Sequence, residues 1–266
     1  MRRKIAITFS LLLVFALNTF AQSKIILDEN MKLIDSVQFK KKCKSQILKC
    51  FSYTADSLFL KKVLYKYRFG KLSKEENSQL RKIFIQNTNK QIKQNANIII
   101  NFRDTLYNFI TRKKAYDVHI KNHDSVHHIS LTTKKFNSQR KRWIKSQKKC
   151  SKKVLNKFNT SVFYVYKYDT GSIKDYPDLN WIKDRGIFKT KFFNIQYNYK
   201  YVLLKPNGDY FLCGGHLSDK DLKLLLKKND WSTFKNDWEK SYDSKSKKGV
   251  GFFKIKSHQY NEKHCY

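Results

Sequence analysis

The chain has 266 residues, 41% of them hydrophobic and 15% aromatic, which excludes a disordered polypeptide and is ample for a buried core. Lys and Arg number 56 against 21 Asp and Glu, a net charge of +35, and a field of that size attracts polyanions without choosing among them. The five Glu form no recognisable catalytic acid pair, and eight Gly are too few for a phosphate-binding glycine loop. Much of the lysine has a bland origin, because abundant Lys, Asn, Ile, Phe and Tyr with little Gly, Pro and Ala is what AT-rich coding produces.

Arg2, Arg3 and Lys4 precede an apolar run that ends in Thr19-Phe20-Ala21. This is the three-part secretory pattern, so residues 1–21 are expected to be a signal peptide, cut between Ala21 and Gln22. The run is short for a membrane-spanning helix, which takes about 20 strongly apolar residues. No later stretch is long and apolar enough to span a bilayer. The mature chain is expected in the periplasm or outside the cell.

Residues 22–95 read as a mainly helical extension. Ser73-Lys74-Glu75-Glu76 has the form of a capping box, and Leu80, Ile83 and Phe84 follow at helical spacing, so a helix is predicted over 73–86. Cys43 and Cys50, if carried on one straight helix, would stand about 10 Å apart along its axis, too far for a disulfide. Asn97 to Phe102 is a continuous, branched apolar run and is predicted to be a buried central strand.

His119, His123 and His127 recur every four residues. On a helix two of them have the spacing of a metal pair, whereas a hairpin over 116–131 makes them ordinary polar strand positions. No metal site and no cofactor is assigned. Phe136, Arg140, Trp143, Gln147, Cys150, Val154 and Phe158 mark one long amphipathic helix over 134–158, with Arg140 and Gln147 interrupting the stripe. Its other faces carry Lys141, Lys145, Lys148, Lys149, Lys152 and Lys153 with no Asp or Glu between, and these six lysines are the candidate polyanion-binding residues. A second interior strand is predicted over 161–168.

Pro206-Asn207-Gly208 separates two β-prone runs and signals a hairpin. Ser218, with Asp221 three residues on, is placed to cap a helix whose buried stripe is Leu222, Leu225 and Leu226. A last strand is expected over 249–256. Five cysteines in an exported chain permit disulfides, and the odd number leaves at least one thiol unpaired or bonded to another molecule. Cys150 and Cys213 have apolar surroundings that suit small buried residues, and Cys265 near the chain end is the thiol expected to be exposed.

The order strand, long helix, strand, helical segment, hairpin, helix over 97–228 resembles the thioredoxin fold. The segment from Tyr201-Val202-Leu203-Leu204-Lys205-Pro206-Asn207-Gly208 to Leu217-Ser218-Asp219-Lys220-Asp221-Leu222-Lys223 is similar to that family's last hairpin and C-terminal helix, and Asn97 to Phe102 is similar to its central strand. The resemblance implies an α/β protein with a thioredoxin-like mixed sheet flanked by helices over 96–266, beside the N-terminal extension. It also exposes what is missing. No CxxC occurs, the family's cis-proline position holds Tyr199 or Lys200, and Arg103-Asp104-Thr105-Leu106 follows the central strand without a Cys. The expected function is therefore a non-catalytic exported binding protein whose partner is a protein or a polyanion of the cell envelope. A basic protein that binds lipopolysaccharide, acidic polysaccharide or nucleic acid is the alternative, and an atypical thiol oxidoreductase using Cys150 or Cys213 is the second alternative.

Overall fold

The structure is a computed structural model and describes residues 23–55, 58–88, 91–121, 131–171, 173–177, 179–193, 199–215, 217–243 and 248–254. The expected signal peptide with Ala21 and Gln22 lies outside the described residues, as do His123, His127 and Cys265. The protein is α/β, with mixed sheets flanked by helices.

The N-terminal stretch is not mainly helical. It holds strands β1 (Ser23–Leu27), β2 (Leu48–Ala55), β3 (Leu58–Tyr65) and β4 (Tyr67–Lys71), with helices α1 (Ser36–Lys42) and α2 (Lys74–Thr88). The first three strands form their own sheet in the order β1-β3-β2, β1 parallel and β2 antiparallel to β3. Its central strand carries Lys61 and Lys62, which breaks the apolar alternation a sequence reader looks for. Lys61 nonetheless lays its chain over Phe39 and Phe59, with its ammonium 5.5 and 5.2 Å from the ring centroids. Cys43 and Cys50 are joined in a disulfide with Cα atoms 5.4 Å apart. The single-helix premise fails because α1 ends at Lys42 and Cys50 belongs to β2.

The larger sheet has six strands in the order β4-β9-β8-β5-β6-β7, with β5 Asn97–Leu106, β6 Thr160–Asp169, β7 Trp181–Lys183, β8 Tyr201–Leu204 and β9 Asp209–Cys213. β5, β6 and β7 are parallel, whereas β8 runs against β5 and β9 against both β8 and β4. The β4–β9 pairing crosses the boundary expected at residue 95. β5 is central and buried, as its run of Ile98, Ile99 and Ile100 demands. One face of the sheet packs on α2, where Phe84 stacks on Phe163 with centroids 4.2 Å apart. Ser73 and Glu76 close the predicted capping box at the start of α2, each accepting from the other's backbone N–H.

The other face packs on α4 (Thr133–Phe158) and α5 (Asp219–Lys227), and α6 (Ser232–Asp243) follows. α4 buries Phe136, Gln147, Cys150 and Val154, as its periodicity predicts, together with Ile144. Gln147 belongs in that stripe because its Oε1 accepts from the Tyr164 hydroxyl at 3.2 Å. The β8–β9 hairpin forms, but only Gly208 uses a positive φ, +87°, after a turn closed by Gly208 N–H on the Lys205 carbonyl. Ser218 caps α5 by accepting from the Asp221 N–H.

Of the two readings left open for the histidine stretch, residues 116–121 take the helical one, in α3 (Phe109–Lys121), and 122–130 lie outside the described residues. One further expectation changes. The expected final strand is a short 3-10 turn, Gly251–Phe253, whose Phe253 packs its ring on Tyr67 at a centroid distance of 5.4 Å.

Candidate functional site

Because β5, β6, β7 and β9 run one way and β4 and β8 the other, one edge of the large sheet gathers the carboxyl ends of the first four strands and the amino ends of the other two. In open α/β sheets the carboxyl ends of the parallel strands are where ligands bind. A cleft of about 540 Å³ opens there, between the end of β5, α3, the first half of α4 and the segment leading into β7.

Each wall follows from local sequence. Asn108 caps α3 by accepting from the Thr111 N–H at 2.9 Å, while its own N–H donates to the Thr170 hydroxyl at 2.9 Å. That pair ties α3 to the end of β6 and sets Arg112 in the helix's first turn. Thr132 caps α4 by accepting from the Lys135 N–H at 3.2 Å, which fixes Lys135 and Phe136 at the opposite wall. Strand alternation puts Arg103 on the α4 side, in register with Tyr166 of β6.

The arginines lie on aromatic rings. The Arg103 guanidinium carbon is 4.8 Å from the Trp143 centroid, that of Arg112 is 5.7 Å from Tyr107, and that of Arg140 is 5.3 Å from Phe136. Stacking holds a guanidinium plane without consuming its N–H donors. Arg140 is neutralised by Asp175, Nη1 to Oδ2 2.8 Å. Arg103 and Arg112 have no carboxylate partner among the described residues. Burial in the cleft pulls the Arg103 pKa below the ordinary guanidinium value, and the neighbouring Arg112 charge lowers it further. Arg103 stays cationic all the same. Burial raises the Tyr176 phenol, which remains a neutral hydroxyl. The cleft therefore offers two guanidiniums without a carboxylate partner among the described residues, the Lys135 ammonium and several aromatic faces, and no Asp or Glu among the described residues lines it.

No family model, curated protein or solved structure matches the chain.

The six lysines singled out in the sequence all lie on α4, outside this cleft. Lys141, Lys145, Lys148, Lys149 and Lys152 are exposed. Lys153 is half-buried and its ammonium is 2.7 Å from Asp219 of α5, so the local absence of acid in α4 is compensated through the fold. Sequence reasoning missed Arg103, Arg112 and Trp181 as a set, since only the parallel β5-β6-β7 pairing and the docking of α3 bring them together. The available signal was compositional: basic residues interleaved with aromatics across 102–116.

Two other clefts are also basic. One of about 340 Å³ gathers Lys49, Lys66, Lys200 and Lys254 near Asp221, with the Lys66 pKa lowered by burial and then by Lys49. The other is lined by Arg68, Arg185 and Lys191, of which Lys191 is paired with Glu76. Among the described residues no group of His, Cys, Asp and Glu is arranged to hold a metal, and the side chain of His119 is not described. Cys150 is disulfide-bonded. Cys213 is a free thiol, fully buried, and burial pushes its pKa up to about 12.

Proposed function

We propose that this chain is an exported, non-catalytic binding protein on a thioredoxin-like scaffold, which captures an anionic ligand in the cleft between β5, α3 and α4. The observation that carries the reading is the pair Arg103 and Arg112, set on aromatic rings at the carboxyl edge of the sheet, neither with a carboxylate partner among the described residues. Strand order β9-β8-β5-β6, with a long helix joining the parallel pair and a helix after the hairpin, supports the scaffold. The Cys43–Cys50 disulfide and the bonded Cys150 suit an oxidising compartment, in keeping with the secretory pattern of residues 1–21. Thiol chemistry is disfavoured at Cys213, where burial holds the sulfur as a neutral thiol; a reactive cysteine needs a lowered pKa and access.

The test is thermal unfolding with inorganic phosphate or pyrophosphate added at constant ionic strength. Binding to the folded state raises the midpoint in a concentration-dependent way. The rise is expected for the parent and for Lys145→Gln, and expected to vanish for Arg103→Gln. Equal rises in all three proteins would place anion binding elsewhere.

A second reading, polyanion binding through α4, is favoured by the row Lys141, Lys145, Lys148 and Lys152. Helical spacing puts the row opposite the buried Gln147, Cys150 and Val154.

A further inference from the structure

We infer that the ligand of this cleft is a phosphate ester joined to an aromatic ring, of mononucleotide size. The inference rests on the anion reading above and adds the charge, the ring and the size.

The charge follows from the cations. A phosphomonoester carries close to two negative charges near neutral pH, whereas a carboxylate carries one. Arg103, Arg112 and Lys135 present three positive charges in one cleft, and none has a carboxylate partner among the described residues. Guanidinium forks match the spacing of phosphate oxygens in pairs, and both forks here are held by rings so that little freedom is lost on binding. An anion set between Arg103 and Arg112 would also relieve the repulsion those two charges exert on each other.

The ring follows from the walls. Tyr107, Tyr116, Trp143, Tyr176 and Trp181 all line the cleft. Trp143, Tyr176 and Trp181 contact one another, with centroids 5.7 to 6.3 Å apart, and form a connected aromatic surface. Aromatic faces beside guanidiniums favour a flat π system, since bases stack on aromatic side chains and guanidinium planes. A pyranose has no π face to set against that surface. Two donors among its residues, Trp181 Nε1 and Arg140 Nε, are buried without an acceptor, and such groups ordinarily have a partner. The volume, about 540 Å³, lies within the range of about 300–1,000 Å³ typical of small-molecule sites.

The test is calorimetric titration of the purified protein with four probes at one ionic strength: adenosine 5′-monophosphate, adenosine, inorganic phosphate and glucose 1-phosphate. The nucleotide is expected to bind about tenfold or more tightly than any of the other three. Arg103→Gln and Arg112→Gln, each checked for native circular dichroism, are expected to weaken nucleotide binding about tenfold or more, as loss of a charge-assisted hydrogen bond does. Either variant suffices if the other fails to fold. Nucleotide binding no tighter than inorganic phosphate overturns the ring while the anion reading stands. Adenosine as tight as the nucleotide overturns the phosphate, and glucose 1-phosphate as tight overturns the aromatic stacking. Heat from none of the four overturns both this inference and the anion reading.

Discussion

The guanidinium of Arg103 lies over the indole of Trp143, 4.8 Å from its ring centroid, and a helix and a strand that are far apart in sequence meet through that contact. The indole also meets Tyr164 edge-on at 6.2 Å, so it links the sheet to the cleft. Trp143→Ala is expected to lower unfolding stability by about 3 kcal/mol, the lower end for truncating a large aromatic, because Trp143 is only part-buried. Trp143→Phe keeps a π face beneath Arg103 and is expected to retain both anion binding and most of the stability. Urea unfolding and a phosphate titration on the two variants decide it, and equal losses in both would show that the ring face is not what positions Arg103.

The Cys43–Cys50 bond fastens the end of α1 to β2, an edge strand of the small sheet. A loop this short still restricts the unfolded chain, and loop-closure entropy puts the effect at about 2.5 kcal/mol. The double variant Cys43→Ser, Cys50→Ser is expected to lose about that much, read by urea unfolding without reductant. Non-reducing peptide mapping of the parent is expected to recover the two peptides linked. Two separate free thiols in the native protein would sink the pairing.

What was legible in the sequence is what local chemistry decides. The Ser73–Glu76 and Ser218–Asp221 caps are closed within four residues, so their sequence pattern and their hydrogen bonds coincide. α4 was legible because its buried residues fall on one face from Phe136 to Val154, about five turns, and β5 because three consecutive isoleucines suit a strand buried on both faces. β1, β2 and β3 were not. Lys49, Lys61 and Lys62 occupy strand positions in β2 and β3, where the Lys61 ammonium lies over the Phe39 and Phe59 rings, and that placement is set by neighbouring elements, not by the segment itself. The cleft was illegible for a similar reason. Arg103 was noted only for the cysteine missing around it, and its relation to Arg112 and Trp181 exists only in the folded sheet. The lysines of α4 were visible as a charged face, but the Asp219 that holds Lys153 comes from another helix.

Lys205 gives a pH signature. It is buried, its ammonium donates to the Leu226 carbonyl at 3.0 Å near the end of α5, and it lies 5.2 Å from the Trp231 ring centroid. Burial lowers its pKa from 10.5 to about 8. The folded amine thus loses its proton before the unfolded one does. Below pH 8 both states are protonated and the penalty of burying the charge is felt in full; between pH 8 and 10.5 the unfolded state binds more protons, so this group's contribution to stability rises with pH. Cys213 acts in the opposite direction, since its raised pKa favours unfolding once the unfolded thiol ionises, so the comparison must be with a variant that keeps Cys213. Between about pH 7, below the folded pKa, and about pH 9.5, inside the window, the parent is expected to gain urea resistance relative to Lys205→Met. Parallel profiles for the two proteins would show that Lys205 is not buried as a strained cation.

The α4 face separates general attraction from a defined surface. Lys141, Lys145, Lys148 and Lys152 fall on one side of the helix, turned away from Gln147, Cys150 and Val154 in the core. Lys153 drops out of that set because Asp219 holds it. With the remaining row exposed, weak and sequence-independent binding to duplex DNA or lipopolysaccharide is expected, steep in salt. Each lysine that meets a phosphate adds about 0.9 to the slope of log affinity against log salt on duplex DNA. Changing all four lysines to Gln is therefore expected to reduce that slope by about two to four units, with affinity falling most at low salt. The same variant is expected to bind phosphate in the β5–α3–α4 cleft as the parent does, since none of the four lysines lines it. The measurement is a DNA titration at several salt concentrations for both proteins. Identical slopes would remove α4 as the binding face and leave its lysines as solvated charge; a reduced slope with the cleft unchanged would establish two separate anionic surfaces on one chain.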